Sequence, residues 1–169
     1  MENHVEIEQE FLRHFQQVHQ VPQVGRMSAI EKIINNVPKI ITAEHNELLL
    51  RPILQQEVDE SMHQLKDSKA PGPDGFTTMF FHTFWDLIKE EVWLVVEESR
   101  TLHWLLPSLN STFMALIPKE ENTRTPDKFR PITLCNVIYK VISKVIANRL
   151  KPLLPMLIST EQSGYVEGT

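Results

Sequence analysis

Lys119, Arg124, Lys128 and Arg130 lie close together in a chain of 169 residues. The runs that flank them, TFMALIP (Thr112 to Pro118) and FRPITL (Phe129 to Leu134), are β-branched and aromatic and read as strands. Between them KEENTRTPDK is polar, with Thr125-Pro126-Asp127 as a turn signal, so the pair reads as a long-looped antiparallel hairpin. Pro131 lacks an N–H, which favours an edge position or a bulge. Antiparallel pairing brings Lys119 and Arg130 to one end of the hairpin, with Arg124 and Lys128 on the loop. A guanidinium offers phosphate a planar bidentate fork and an ammonium a mobile point charge, so the group could grip a triphosphate. Hairpin loops are also charged for solubility, and spacing does not separate the two readings.

A second stretch is built for rigidity. SKAPGPDGF (Ser68 to Phe76) sets two prolines, two glycines and an aspartate between segments that otherwise read as helix. Pro71 and Pro73 pre-set the backbone, while Gly72 and Gly75 permit close approach of another chain or a positive φ. A structural connector and a binding loop are both consistent with this.

Other chemistries find little support. The seven histidines are scattered with no i, i+4 pair, and Cys135 is the single cysteine, so neither a zinc site nor a disulfide framework is expected. G-x-S-x-G, Walker and G-x-G-x-x-G patterns are absent from the sequence. The acidic doublets Glu90-Glu91, Glu97-Glu98 and Glu120-Glu121 read as solvated faces.

Composition frames this as one ordinary globular domain, with 41% apolar and 23% charged residues. The acidic opening MENHVEIEQEF is unlike a signal peptide, and the apolar runs are short for a membrane span. The expectation is an intracellular chain, in cytoplasm or nucleus, without a membrane partner. The net charge of -5 hides an asymmetry. Residues 1–100 carry 9 Lys+Arg against 17 Asp+Glu, and residues 101–169 carry 8 against 5, so positive charge for a polyanion sits late.

The elements that must position these groups are mostly helical. Ile7, Phe11, Leu12, Phe15 and Val18 mark a first helix, which QVPQVGRMS interrupts. Ile30, Ile33, Ile34 and Val37 suggest a second up to Pro38, and Thr42 an N-cap for a third reaching Leu50. Val58, Met62 and Leu65 give a fourth. Phe80, Phe84, Leu87, Ile88 and Val95 are expected to line one side of a longer helix continuing to about His103. After the hairpin, Asn136 is expected to cap a helix whose apolar stripe runs from Val137 to Leu150, with Lys140, Ser143, Lys144, Arg149 and Lys151 on a basic back, stopped by Pro152.

Four motifs taken together are specific. KAPGPDGF, FMALIPK, KFRPITLCNVIYKVISKVIANRL and EQSGYVEG, in this order and at this spacing, resemble the N-terminal part of the reverse transcriptase domain of plant LINE-type (non-LTR) retrotransposons. The resemblance covers about Leu48 to Thr169; Glu6 to Ile41 more loosely resembles the linker that follows the endonuclease in that family. It implies an α+β, mostly helical fingers region with a long-looped hairpin and an amphipathic helix, and a division into a helical linker region, 1–41, and a truncated domain, 42–169. It also implies that Lys119 and Arg130 hold the phosphates of the incoming nucleotide. Lys69, Gly72, Asp74, Gly75, Lys140 and Lys144 would contact the RNA template.

The resemblance stops short of the palm. Nucleotidyl transfer needs carboxylates holding two metal ions about 3.5 to 4 Å apart, and the family takes these from an aspartate on a palm strand and from an aromatic-x-Asp-Asp turn. Here the aspartates are 59, 67, 74, 86 and 127, with no Asp-Asp pair, and Thr169 stands where the family usually has arginine. The resemblance therefore implies no catalytic residue or metal ligand in this chain, although the intact family enzyme uses Mg2+, an RNA template and deoxynucleotide triphosphates. The expectation is a fragment inactive by itself, with weak RNA binding at most. The alternatives are an accessory chain needing a palm-bearing partner, or a domesticated RNA-binding or protein-interaction module.

Overall fold

A computed structural model describes residues 4–20, 26–36 and 38–158. They form two compact units, one made of the described residues within 4–39 together with 115–132, the other of residues 40–114 together with 133–158. In chain order the elements are α1 (His4–His19), α2 (Arg26–Ile34), α3 (Ala43–Leu50), α4 (Gln55–His63), α5 (Thr78–Leu102), α6 (Pro107–Asn110), β1 (Thr112–Pro118), β2 (Phe129–Cys135), α7 (Val137–Leu150) and α8 (Leu154–Leu157). The expected α+β, mostly helical architecture is what the structure shows, with β1 and β2 as a two-stranded sheet. None of the described helices is long and apolar enough to cross a membrane. Val37 and the segment 159–169, which contains EQSGYVEG, lie outside the described residues.

In the larger unit α4, α5 and α7 pack around Val58, Met62, Phe81, Trp85, Val92, Val96, Val137, Val141 and Val145. Each such side chain contributes about 1.5–3 kcal/mol by leaving water. Local chemistry sets the helix ends. Thr42 caps α3 as its residue type suggests, its hydroxyl accepting the His45 N–H. Thr77 does the same for α5 through the Phe80 N–H. α7 ends at Leu150, just before Pro152, and the chain passes through a 3-10 turn into α8.

Two helix faces differ from expectation. The buried stripe of α5 is Phe81, Trp85, Val92 and Val96, with Ile88 packed against it, whereas Phe80, Phe84 and Leu87 point outward. Both stripes satisfy helical spacing. The inner one won because Trp85 and Trp93 reach partners there: Trp85 Nε1 donates to Asp59 Oδ1 (3.0 Å) and Trp93 Nε1 to the Ile53 carbonyl (2.7 Å). Arg149, expected on the basic back of α7, instead turns into a nest of acceptors, its side chain 9% exposed. It donates in bidentate fashion to Glu57 (2.8 Å each) and to the carbonyls of Leu49, Arg51 and Pro52. The guanidinium fork thus fastens the α3–α4 connection to α7.

In the smaller unit α1 packs near the turn before β2, where the Phe11 ring meets Phe129 edge-on at 5.0 Å.

Candidate nucleotide and nucleic-acid sites

The hairpin register is fixed by its backbone bonds. Lys119 N–H donates to the Lys128 carbonyl at 2.9 Å, and at the far end Thr112 Oγ1 meets Cys135 Sγ at 3.6 Å. This pairing sets Ile117 across from Arg130. Because side chains alternate along a strand, Lys119 and Arg130 share one face as diagonal neighbours. The loop turns with Asn122 at φ 59°, a left-handed conformation that asparagine tolerates, and with a 3-10 turn at Pro126–Lys128.

The four cations are not equivalent. Lys119 Nζ donates to the Asp127 carbonyl (2.6 Å) and Lys128 Nζ to Glu120 Oε1 (2.7 Å). Arg124 and Arg130 are exposed, and neither guanidinium bonds a described residue. The Thr125 side chain holds the Asp127 carboxyl below its usual range, desolvation opposes, and its own backbone N–H, Lys128 and His14 add smaller pulls. An ammonium has three donors, so Lys119 can keep its carbonyl and still meet an anion.

The PGPDG loop is held from inside the larger unit. Gly72 and Gly75 close a turn through the Gly75 N–H to the Gly72 carbonyl (3.1 Å), Gly75 has φ 76°, and Asp74 Oδ1 accepts the Phe76 N–H (3.0 Å). Asn136 then clamps the turn: its Oδ1 accepts the Asp74 N–H (3.2 Å), while its Nδ2 donates to the carbonyls of Ser108 (2.9 Å) and Leu109 (3.4 Å). Lys140, one helical turn on, donates to the Ala70 carbonyl (3.0 Å). The cap expected of Asn136 is therefore not made by its side chain; that amide ties three segments together and is 1% exposed.

Of the residues expected to meet a template, the structure brings Gly72, Asp74 and Lys140 into this clamp. Gly72 is buried against residues 135 and 136, so the close approach it allows is to its own chain. Gly75 has open space around it, Lys69 is exposed and Lys144 half-buried. Asn136 and Arg149 as fasteners were missed from the sequence; an asparagine between strand and helix reads first as a cap, and an arginine as surface.

The profile of the family described as reverse transcriptase (RNA-dependent DNA polymerase) matches residues 117–169, beginning within β1. The chain carries part of a reverse transcriptase domain. Curated relatives place this reverse transcriptase segment among non-LTR retrotransposons. It is 31% identical over 140 residues, 83% of the chain, to the Transposon TX1 uncharacterized 149 kDa protein of Xenopus laevis. It is 30% identical over 118 residues, 70% of the chain, to the Retrovirus-related Pol polyprotein from type-1 retrotransposable element R2 of Nasonia vitripennis, and 26% identical over 115 residues, 68% of the chain, to that of Bradysia coprophila. The reverse transcriptase segment spans only about a tenth of the length of these relatives, 11%, 11% and 12%. The family acts with Mg2+, but the described residues hold no group of three His, Cys, Asp or Glu able to bind a metal ion, so no step through a metal is assigned to them.

Proposed function

We propose that this chain is the fingers portion of a LINE-type reverse transcriptase of the plant kind, and that its hairpin grips the triphosphate of an incoming deoxynucleotide while other parts of the polymerase do the chemistry. The observation that carries this reading is the exposed face shared by Lys119 and Arg130, within residues matched by the reverse transcriptase family. Arg130 supplies the bidentate fork, and Lys119, steadied by the Asp127 carbonyl, the point charge. Lys69 and Lys144 would touch template phosphates, contacts that position RNA without reading its sequence. Gly72, Asp74 and Lys140 serve by keeping the PGPDG loop in place.

The test is titration of a fluorescent deoxynucleotide triphosphate. Arg130→Ala, which breaks no bond to a described residue, is expected to weaken binding roughly tenfold, the effect of losing about 1.4 kcal/mol. Lys128→Ala, whose ammonium is engaged by Glu120, is expected to change it little. Equal losses from the two variants would show general attraction rather than a site. Primer extension on an RNA template with Mg2+ is expected to give no product from this chain.

A further inference from the structure

α5 carries a second seam. Phe80, Phe84, Leu87, Glu91, Leu94 and Glu98 succeed one another at alternating spacings of four and three, the repeat by which one helix pairs with another. This seam faces away from the core: Phe80 is 37%, Phe84 42%, Leu87 76% and Leu94 56% exposed, and Glu91 and Glu98 are exposed beside them. The aromatic part is already ordered, with Phe76, Phe80 and Phe84 ring centroids 4.7 and 5.0 Å apart in succession. The acidic part is uncompensated. α5 contains five Asp/Glu and two Lys/Arg; Lys89 is tied to Asp86 and Arg100 to Glu97. Glu90, Glu91 and Glu98 form no ion pair with a described residue.

We propose that this seam docks a basic amphipathic helix of a partner chain, with apolar side chains against Phe80, Phe84, Leu87 and Leu94 and lysine or arginine against Glu91 and Glu98. The charge selects the occupant. A second copy in parallel would set Glu91 and Glu98 against themselves, and carboxylates within an apolar seam are a device by which helices choose their mates. Nucleic acid is repelled by the same groups, and a lipid surface would have to desolvate them. The inference is independent of nucleotide binding at the hairpin.

The test uses the full chain and labelled synthetic helices of about four heptads. One carries lysine at the first seam position of each heptad and leucine at the second; another has the two exchanged, so that either chain direction sets lysine against Glu91 and Glu98. Counterparts carry glutamate for lysine. One lysine helix is expected to bind at least roughly tenfold tighter than its glutamate counterpart, and Glu91→Lys with Glu98→Lys is expected to invert that preference. An unfolded variant cannot produce an inversion, because it requires newly gained binding. The double variant Phe84→Ser with Leu87→Ser is expected to weaken both. Equal binding of lysine and glutamate helices, no binding of either, or a dimer of this chain dissolved by Leu87→Ser would each overturn the proposal.

Discussion

Gly72 and Asn136 lie so close that no side chain fits between them. A Cβ on residue 72 would stand 2.2 Å from Asn136 Oδ1, 2.4 Å from the Asn136 backbone nitrogen and 2.6 Å from the Cys135 carbonyl carbon. The amide that excludes the Cβ is also the one that clamps Asp74, Ser108 and Leu109. Two of the three obstructing atoms are backbone, so they can move only by shifting the junction of β2 and α7.

The two glycines of the loop are therefore expected to respond differently to alanine. Gly72→Ala should destabilise the chain by about 1–3 kcal/mol, the range for forcing atoms into a packed site. Gly75→Ala meets open space and pays only for its φ of 76°, about 1–2 kcal/mol. Urea unfolding of both variants checks the order. A Gly72→Ala chain as stable as the parent would mean that the clamp is loose.

Glu57 gives the fold a pH signature. Hydrogen bonds from the Arg149 guanidinium lower its pKa from 4.5 to about 2, desolvation pulls the other way, and the Leu54 N–H and the charges of Arg149 and Arg51 assist. A carboxyl with a depressed folded pKa stabilises above its unfolded value and loses that contribution as pH falls through the folded one. The gap in stability between the parent and Glu57→Gln should thus be full, about 3 kcal/mol, above pH ~4.5 and close towards pH ~2. Glu97, lowered first by its bond from Arg100, adds to the acid sensitivity of both chains. Denaturant melts at neutral and acid pH measure the gap; one that stays constant would show that Glu57 and Arg149 are not coupled.

Lys140 and Lys144 are one turn apart on α7 but should fail in different ways. Lys144→Glu is expected to weaken RNA binding and flatten its dependence on salt by about one unit of slope, as a lost phosphate contact does, with stability little changed. Lys140→Glu removes the bond to the Ala70 carbonyl instead, so it should lower stability by about 1 kcal/mol and leave the salt slope nearer that of the parent. Thermal melts beside filter binding over a salt series separate the two. Identical behaviour of the variants in both assays would place both lysines in the same role.

Much of this reverse transcriptase segment could be read from residue order. The hairpin between Thr112 and Cys135, the helix from Val137 to Leu150 and the Thr42 cap depend on neighbours a few positions apart, and local propensities decide such elements. The kinship was legible too, because its motifs are stretches of sequence. What required the tertiary structure were choices between local options of similar merit. Two stripes on α5 share helical spacing, and the long-range bonds of Trp85 to Asp59 and Trp93 to Ile53 chose which is buried. Arg149 looked like a solvated cation until Glu57 and three carbonyls from far along the chain surrounded it. Asn136 could cap its own helix or bridge to distant segments, and packing of Gly72 against it set the outcome. Hydrogen-bonding capacity belongs to the residue, but the partner that satisfies it is supplied by chain folded back from dozens of positions away, and that return is fixed only when the core closes.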